Sequence, residues 1–173
     1  MIHSINRFRN WLLLALALAA LPLTAGAWQA APGITVEIVA DDGRVLRQFD
    51  VTRTGERDVR RAYLEATKGQ RYGIRVRNHT GGRIGLVLAV DGRNIISGAK
   101  SRLSRREPMY ILNPYQSATY DGWRTSDSQV HRFFFTESTD SYAGAFGDYS
   151  AMGVIAVAAF AEKTPPRQIQ KYR

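Results

Sequence analysis

The sequence predicts an all-β protein: an antiparallel two-layer β-sandwich, immunoglobulin-like or jelly-roll in arrangement, following an N-terminal signal peptide. Three observations carry that expectation. Beyond residue 33, apolar residues recur in short runs with a period of two rather than about 3.6. Clusters of Gly, Asn and Asp break the runs at turn spacing. A composition that is 45% hydrophobic and 23% charged belongs to a chain with a core, not to a disordered one.

The first segment stands apart from the sandwich. Arg7 and Arg9 precede an apolar run from Trp11 to Leu21, and Pro22 ends it. Ala25-Gly26-Ala27 then puts small residues where a signal peptidase cuts, before Trp28. The run is about half of the roughly 20 residues that a spanning helix needs, and no later segment reads as transmembrane. The expected organisation is a signal peptide over 1–27, one sandwich domain over 28–163 and a basic tail over 164–173, without internal repeats. Removing the leader takes away two arginines, so the formal charge falls from +9 to +7. The leader is bacterial in style, which predicts a periplasmic or secreted protein. Having no Cys, the chain has no disulfide staple, thiol nucleophile or thiolate metal site, and must fold on its apolar strands alone.

Within the domain, Ile34, Val36 and Ile38 alternate with Thr35 and Glu37, and Asp41-Asp42-Gly43 supplies a hairpin turn into a return strand from Val45 to Val51. Residues 52–61 are polar and read as a loop. A short strand, Tyr63 to Ala66, ends at Lys68-Gly69. Tyr72, Ile74 and Val76 then share one face of a strand whose other face carries Arg71, Arg75 and Arg77, solvated guanidinium against core. Asn78-His79-Thr80 fits a glycosylation pattern but reads as a turn, with Gly81-Gly82 after it. Ile84 to Val90 is apolar on both parities, as in a central strand covered on both sides, and Asp91-Gly92 closes it with Asp91 and Asn94 capping the backbone. Ile95 and Ile96 lead into a basic loop from Lys100 to Arg106. Met109 to Leu112 and Ala118 to Tyr120 are short strands around Asn113-Pro114, and Val130 to Glu137 carries three consecutive Phe. After a long loop over 138–152, the β-branched Val154, Ile155 and Val157 make Gly153 to Ala161 a buried strand.

Taken in order, Tyr72-Gly-Ile-Arg-Val-Arg-Asn78, Leu88-Ala-Val-Asp-Gly-Arg-Asn94, Tyr110-Ile-Leu-Asn-Pro-Tyr115, Gly122-Trp-Arg124, Arg132-Phe-Phe-Phe-Thr136 and Met152-Gly-Val-Ile-Ala156 resemble a widespread family of exported bacterial β-sandwich proteins without established activity. The resemblance covers about residues 62–163. Many members of that family follow a lipobox, which this Cys-free chain lacks. It implies the fold and export, and lends no catalytic residue.

The candidate chemistry is sparse. Beyond the leader the histidines are His79 and His131, and there is no Gly-x-Ser-x-Gly, His-Glu-x-x-His or P-loop pattern. No cofactor, metal or catalytic residue is therefore expected. Glu137, Asp140 and Asp148 could form a hydrolytic carboxylate pair or a calcium cradle, the weakest alternative, or simply satisfy donors in their own loop. The aromatics Tyr110, Tyr115, Tyr120, Trp123, Tyr142, Phe146 and Tyr149 fall in loops and strand ends, where exposed rings stack sugars or pack on partners. Trp123, between Gly122 and Arg124, is either the centre of such a site or a plug closing one end of the sandwich. Lys100, Arg102, Arg105 and Arg106 attract polyanions at long range, although solvated charge of this kind also guards sheet edges. The expected binding set is Trp123, Arg124, Tyr115, Tyr120, Lys100, Arg102, Arg105 and Arg106. The function predicted is a non-enzymatic envelope-associated binding module whose partner is an envelope protein, an acidic glycan or an anionic lipid surface. Nucleic acid is not expected, and a carbohydrate-binding module is the alternative.

Overall fold

The structure is a computed structural model that describes residues 28–51, 59–125, 129–137, 140–141 and 144–163. The expected signal peptide over 1–27 and the expected tail over 164–173 lie outside the described residues, as does most of the expected loop over 52–61. In chain order the described strands are β1 (Trp28–Ala31), β2 (Ile34–Ala40), β3 (Gln48–Val51) and β4 (Arg61–Leu64). Then come β5 (Arg71–Asn78), β6 (Ile84–Val90), β7 (Arg93–Asn94) and β8 (Tyr110–Leu112). The last are β9 (Ser117–Tyr120), β10 (Gly122–Arg124), β11 (Val130–Phe134) and β12 (Ile155–Ala161), with a 3-10 turn at Gly144–Phe146.

The strands form an antiparallel β-sandwich, as their periodicity predicts. The larger sheet runs β1-β2-β5-β11-β10, with β9 also on β5; the smaller runs β12-β6-β7, with β8 also on β6; β3 and β4 form a separate ribbon. The β2–β5 register matches apolar residues with one another, Val36 with Val76 and Ile38 with Ile74, because a period of two puts every second side chain on the same face. From the facing sheet Ile84, Leu86, Leu88 and Val90 complete a core with Leu46, Ile95, Leu112 and Phe133. Each fully buried aliphatic in it contributes roughly 1.5–3 kcal/mol.

Two buried asparagines tie loops to this core. The amide of Asn78 donates to the carbonyls of Gly82 (2.8 Å) and Asn113 (3.0 Å), and its Oδ1 accepts from the Thr80 N–H (2.9 Å) and Oγ1 (2.7 Å). A glycan has no access to an amide so enclosed, so Asn78-His79-Thr80 serves as a structural turn. Asp91 and Gly92 both have positive φ, 50° and 75°, as the tight β6–β7 hairpin turn requires.

Several elements differ from the sequence expectation. Val45 to Val51 does not return along β2: Val45 makes a single bridge to Val39, after which Gln48–Val51 turns away to pair with Arg61–Leu64. The short strand expected at 63–66 is accordingly shifted to 61–64, where Leu64 can reach the core. The arginine face of β5 is only partly solvated, because Arg75 bonds Glu37 across the β2 register at 3.1 Å. Gly153 to Ala161 is a half-buried edge strand starting at Ile155, since β6 is its only partner among the described strands. The Phe-rich strand ends at Phe134. β1 and the three-residue β10 carry too few residues to show a period.

Candidate functional site

Residues 100–107 form an ordered loop laid along the outer side of β6. Asn94, paired with Ala89 on that side, is buried; its Oδ1 accepts from the Ile96 N–H (2.9 Å) and its amide donates to the Pro108 carbonyl (2.9 Å). Its amide also reaches Glu107 (3.3 Å). Glu107 gathers the loop around one carboxylate, accepting from Ser101 Oγ (2.6 Å) and from the N–H groups of Arg102 (2.9 Å) and Ser104 (2.9 Å). Burial raises the cost of its charge, but these bonds together outweigh burial and hold the carboxyl below its ordinary range. This knot turns Arg102, Arg105 and Arg106 outward. No described carboxylate forms an ion pair with any of the three.

Lys100 is engaged differently. It pairs with Asp148 at 3.0 Å, and Asp148 also accepts from Ser150 Oγ (2.6 Å); the Ser150 bond first and Lys100 next hold this carboxyl well below the usual range. The same end of β6 holds two further contacts. The Arg93 guanidinium lies 4.0 Å over the Phe146 ring, and Asp91 Oδ1 accepts from the Gly153 N–H at 2.8 Å. The segment 144–153 is thereby pinned to the Asp91–Gly92 turn. Burial pushes the Asp91 carboxyl up, partly offset by the Gly153 bond.

Trp123 and Arg124 form a second part of the site. Trp123 pairs with His131 across β10 and β11, packs against the core and meets Phe133 edge to face, with ring centroids 5.8 Å apart. Its other side lines a cavity of about 90 Å³ shared with Arg124, His131, Ile95, Ser97 and Thr125. The Arg124 N–H donates to the Ile95 carbonyl (2.9 Å), joining the two sheets at this cavity. Trp123 thus packs on the core with one side and walls a small cavity with the other.

The tyrosines fall elsewhere. Tyr120 is turned inward, its ring 4.4 Å from that of Tyr110, and burial first and Tyr110 second push its hydroxyl up to about 12. Tyr115 is 74% exposed with φ 58°, on the turn beside Thr80. That turn lies at the opposite end of β6 from Lys100. The eight expected residues therefore divide into the ordered basic loop, the Trp123–Arg124 cavity and two tyrosines belonging to neither. The carboxylates of the 137–148 loop are engaged apart from one another: Glu137 with Lys68, and Asp148 with Lys100. Among the described residues no cluster of three His, Asp or Glu could hold a metal ion.

Two participants escaped the sequence reading. His131 faces the cavity only through the register of β10, a strand too short to detect. Glu107 was legible in principle, because Ser104-x-x-Glu107 repeats the spacing by which a glutamate reaches back to a serine N–H at a helix start. No protein-family model, no curated protein and no solved structure matches the chain.

Proposed function

We propose that this protein is an exported, non-enzymatic binding module that engages an anionic component of the cell envelope through the loop 100–107. The observation that carries the reading is the Glu107 knot: three arginines are held on a fixed loop with no described carboxylate neutralising them. Several cations elsewhere on the domain are matched, Arg75 by Glu37, Arg83 by Glu162 and Arg132 by Asp41, and the basic loop differs in gathering three unmatched arginines within five residues. Charge displayed on an ordered loop costs little further ordering when a polyanion binds, and it steers encounter at long range.

The test is retention of the purified protein on a sulfated polysaccharide and on anionic vesicles across a salt series. Replacing Arg102, Arg105 and Arg106 together by Ala should shift elution to much lower salt, whereas replacing Arg44, Arg71 and Arg77, the same change of net charge, should not. Equal shifts would reduce the effect to net charge and sink the proposal. The Trp123 cavity supports a second reading, a carbohydrate site, because an indole, an arginine and an imidazole converge on about 90 Å³. Binding that survives high salt and is lost in Trp123→Phe would favour it.

A further inference from the structure

The basic loop borders an apolar row on the outer side of the smaller sheet, partly covered by that loop and open at Ile111, and the register of the sheet creates it. Gly85 of β6 pairs with Ile111 of β8 on one side and with Phe160 of β12 on the other, so Ile111, position 85 and Phe160 lie in one line. Their neighbours Leu86, Leu112 and Ala159 face the core, so by strand alternation the row faces out. Gly85 supplies no side chain, and Met109 fills the gap: a Cβ at 85 would collide with its sulfur. The result is an Ile111–Met109–Phe160 strip in which Ile111 is 58% exposed and Met109 and Phe160 are partly buried. The Arg105 guanidinium lies 4.8 Å above the Phe160 ring, and Arg102 and Arg106 belong to the same loop. At the row's far margin Arg83 is already paired with Glu162.

From this juxtaposition we infer that the outer face of the β8-β6-β12 sheet docks on an anionic lipid bilayer, the arginines meeting headgroup phosphates and the Ile111–Met109–Phe160 strip entering the interface. This deepens the proposed function and rests on it by naming the partner of the basic loop. Two considerations select lipid. A hydrated acidic glycan offers nothing to cover an exposed Ile beside Phe and Met. A stable protein interface needs about 800 Å² on each side, more than three side chains provide, whereas interfacial anchoring adds a few apolar contacts to several headgroup charges.

The chain has no Cys, so Ile111→Cys accepts one polarity-sensitive fluorophore and Phe49→Cys, on the β3–β4 ribbon, provides a control. Vesicles of phosphatidylglycerol and phosphatidylcholine are compared with phosphatidylcholine alone. The expected result is cosedimentation with the anionic vesicles only, a blue shift of the label at 111 and none at 49. Partitioning should fall about fivefold for each of Arg102→Ala and Arg106→Ala and about tenfold for Ile111→Ser. Because Ile111 is mostly exposed, Ile111→Ser leaves the fold intact, and Arg102→Ala and Arg106→Ala act on exposed side chains. Vesicle binding without a shift at 111, or with equal shifts at both sites, overturns the insertion. Retention on sulfated polysaccharide with no vesicle binding overturns the lipid assignment and leaves the polyanion module standing. Failure on both surfaces removes both.

Discussion

At the scale of single residues, Asp91 shows how a turn can be right in geometry and costly in charge. The hairpin needs a residue that tolerates positive φ at this position, and Asp and Asn both do. Its side-chain oxygen must also accept the Gly153 N–H. Burial disfavours the ionised form and raises the pKa from its ordinary 3.8, only partly offset by that bond. For a raised pKa the sign is fixed: no penalty applies below the unfolded value, and it develops as pH rises through the folded one. Asp91→Asn keeps the conformation and the acceptor while removing the charge. It should raise the melting temperature at pH 7, with the gain vanishing below about pH 4; a lower melting temperature at neutral pH would show that the charge itself supports the turn. The turn was legible in Asp91-Gly92 and so was the capping by Asn94. The Gly153 partner was not, because it lies 62 residues away and is a backbone group.

Elements were legible in proportion to their length and to how far their partners lay along the chain. β2 and β5 announce themselves because seven or eight residues display a period, and β6 because seven residues without a polar side chain run up to a turn signal. β6 also reads as covered on both sides, and its outer cover is the loop 100–109. The ribbon β3–β4 was misplaced because Asp42-Gly43 implies a local return strand, whereas Leu46 enters the core and releases the chain after one bridge. β10 escaped altogether, and its existence depends on Gly122. A Cβ there would strike the His131 carbonyl and crowd the Arg132 Cα at 3.0 Å, both backbone atoms that cannot rotate away. Gly122→Ala should therefore cost about 3 kcal/mol and act on one element. Amide exchange should accelerate at 122–124 and 130–132, with β2 and β5 still protected, and the Trp123 cavity should lose its wall. Uniform acceleration across both sheets would mean that β10 does not open independently.

On the scale of the whole molecule, the absence of cysteine leaves stability to the core and to a few ionisable groups, and these bound it on both sides in pH. On the acid side, Glu107 is held below its ordinary 4.5 by its hydrogen bonds, against the opposing effect of burial. A lowered carboxyl contributes stability that is complete above the unfolded value and lost as pH falls through the folded one, so the basic loop loosens in acid. On the alkaline side, burial is the main cause that raises the hydroxyls of both Tyr72 and Tyr120, the latter to about 12. Tyr72 is stacked between Phe133 and Phe135 at centroid distances of 5.3 and 4.4 Å, and Tyr120 lies on Tyr110, so neither phenolate can be hydrated without opening the core. A raised pKa contributes stability that is complete below the unfolded value of 10 and lost as pH climbs through the folded value. Unfolding free energy should thus fall as Glu107 is protonated and again as pH climbs above about 10, with a plateau between once the Asp91 penalty is complete. Glu107→Gln should lower the plateau and flatten the acid limb, and Tyr120→Phe should flatten the alkaline limb while leaving the plateau nearly unchanged. Denaturant titrations at each pH measure all three curves. An alkaline limb as steep in Tyr120→Phe as in the parent would transfer that limb to Tyr72, whose ring is the more enclosed of the two, and Tyr72→Phe would then have to flatten it.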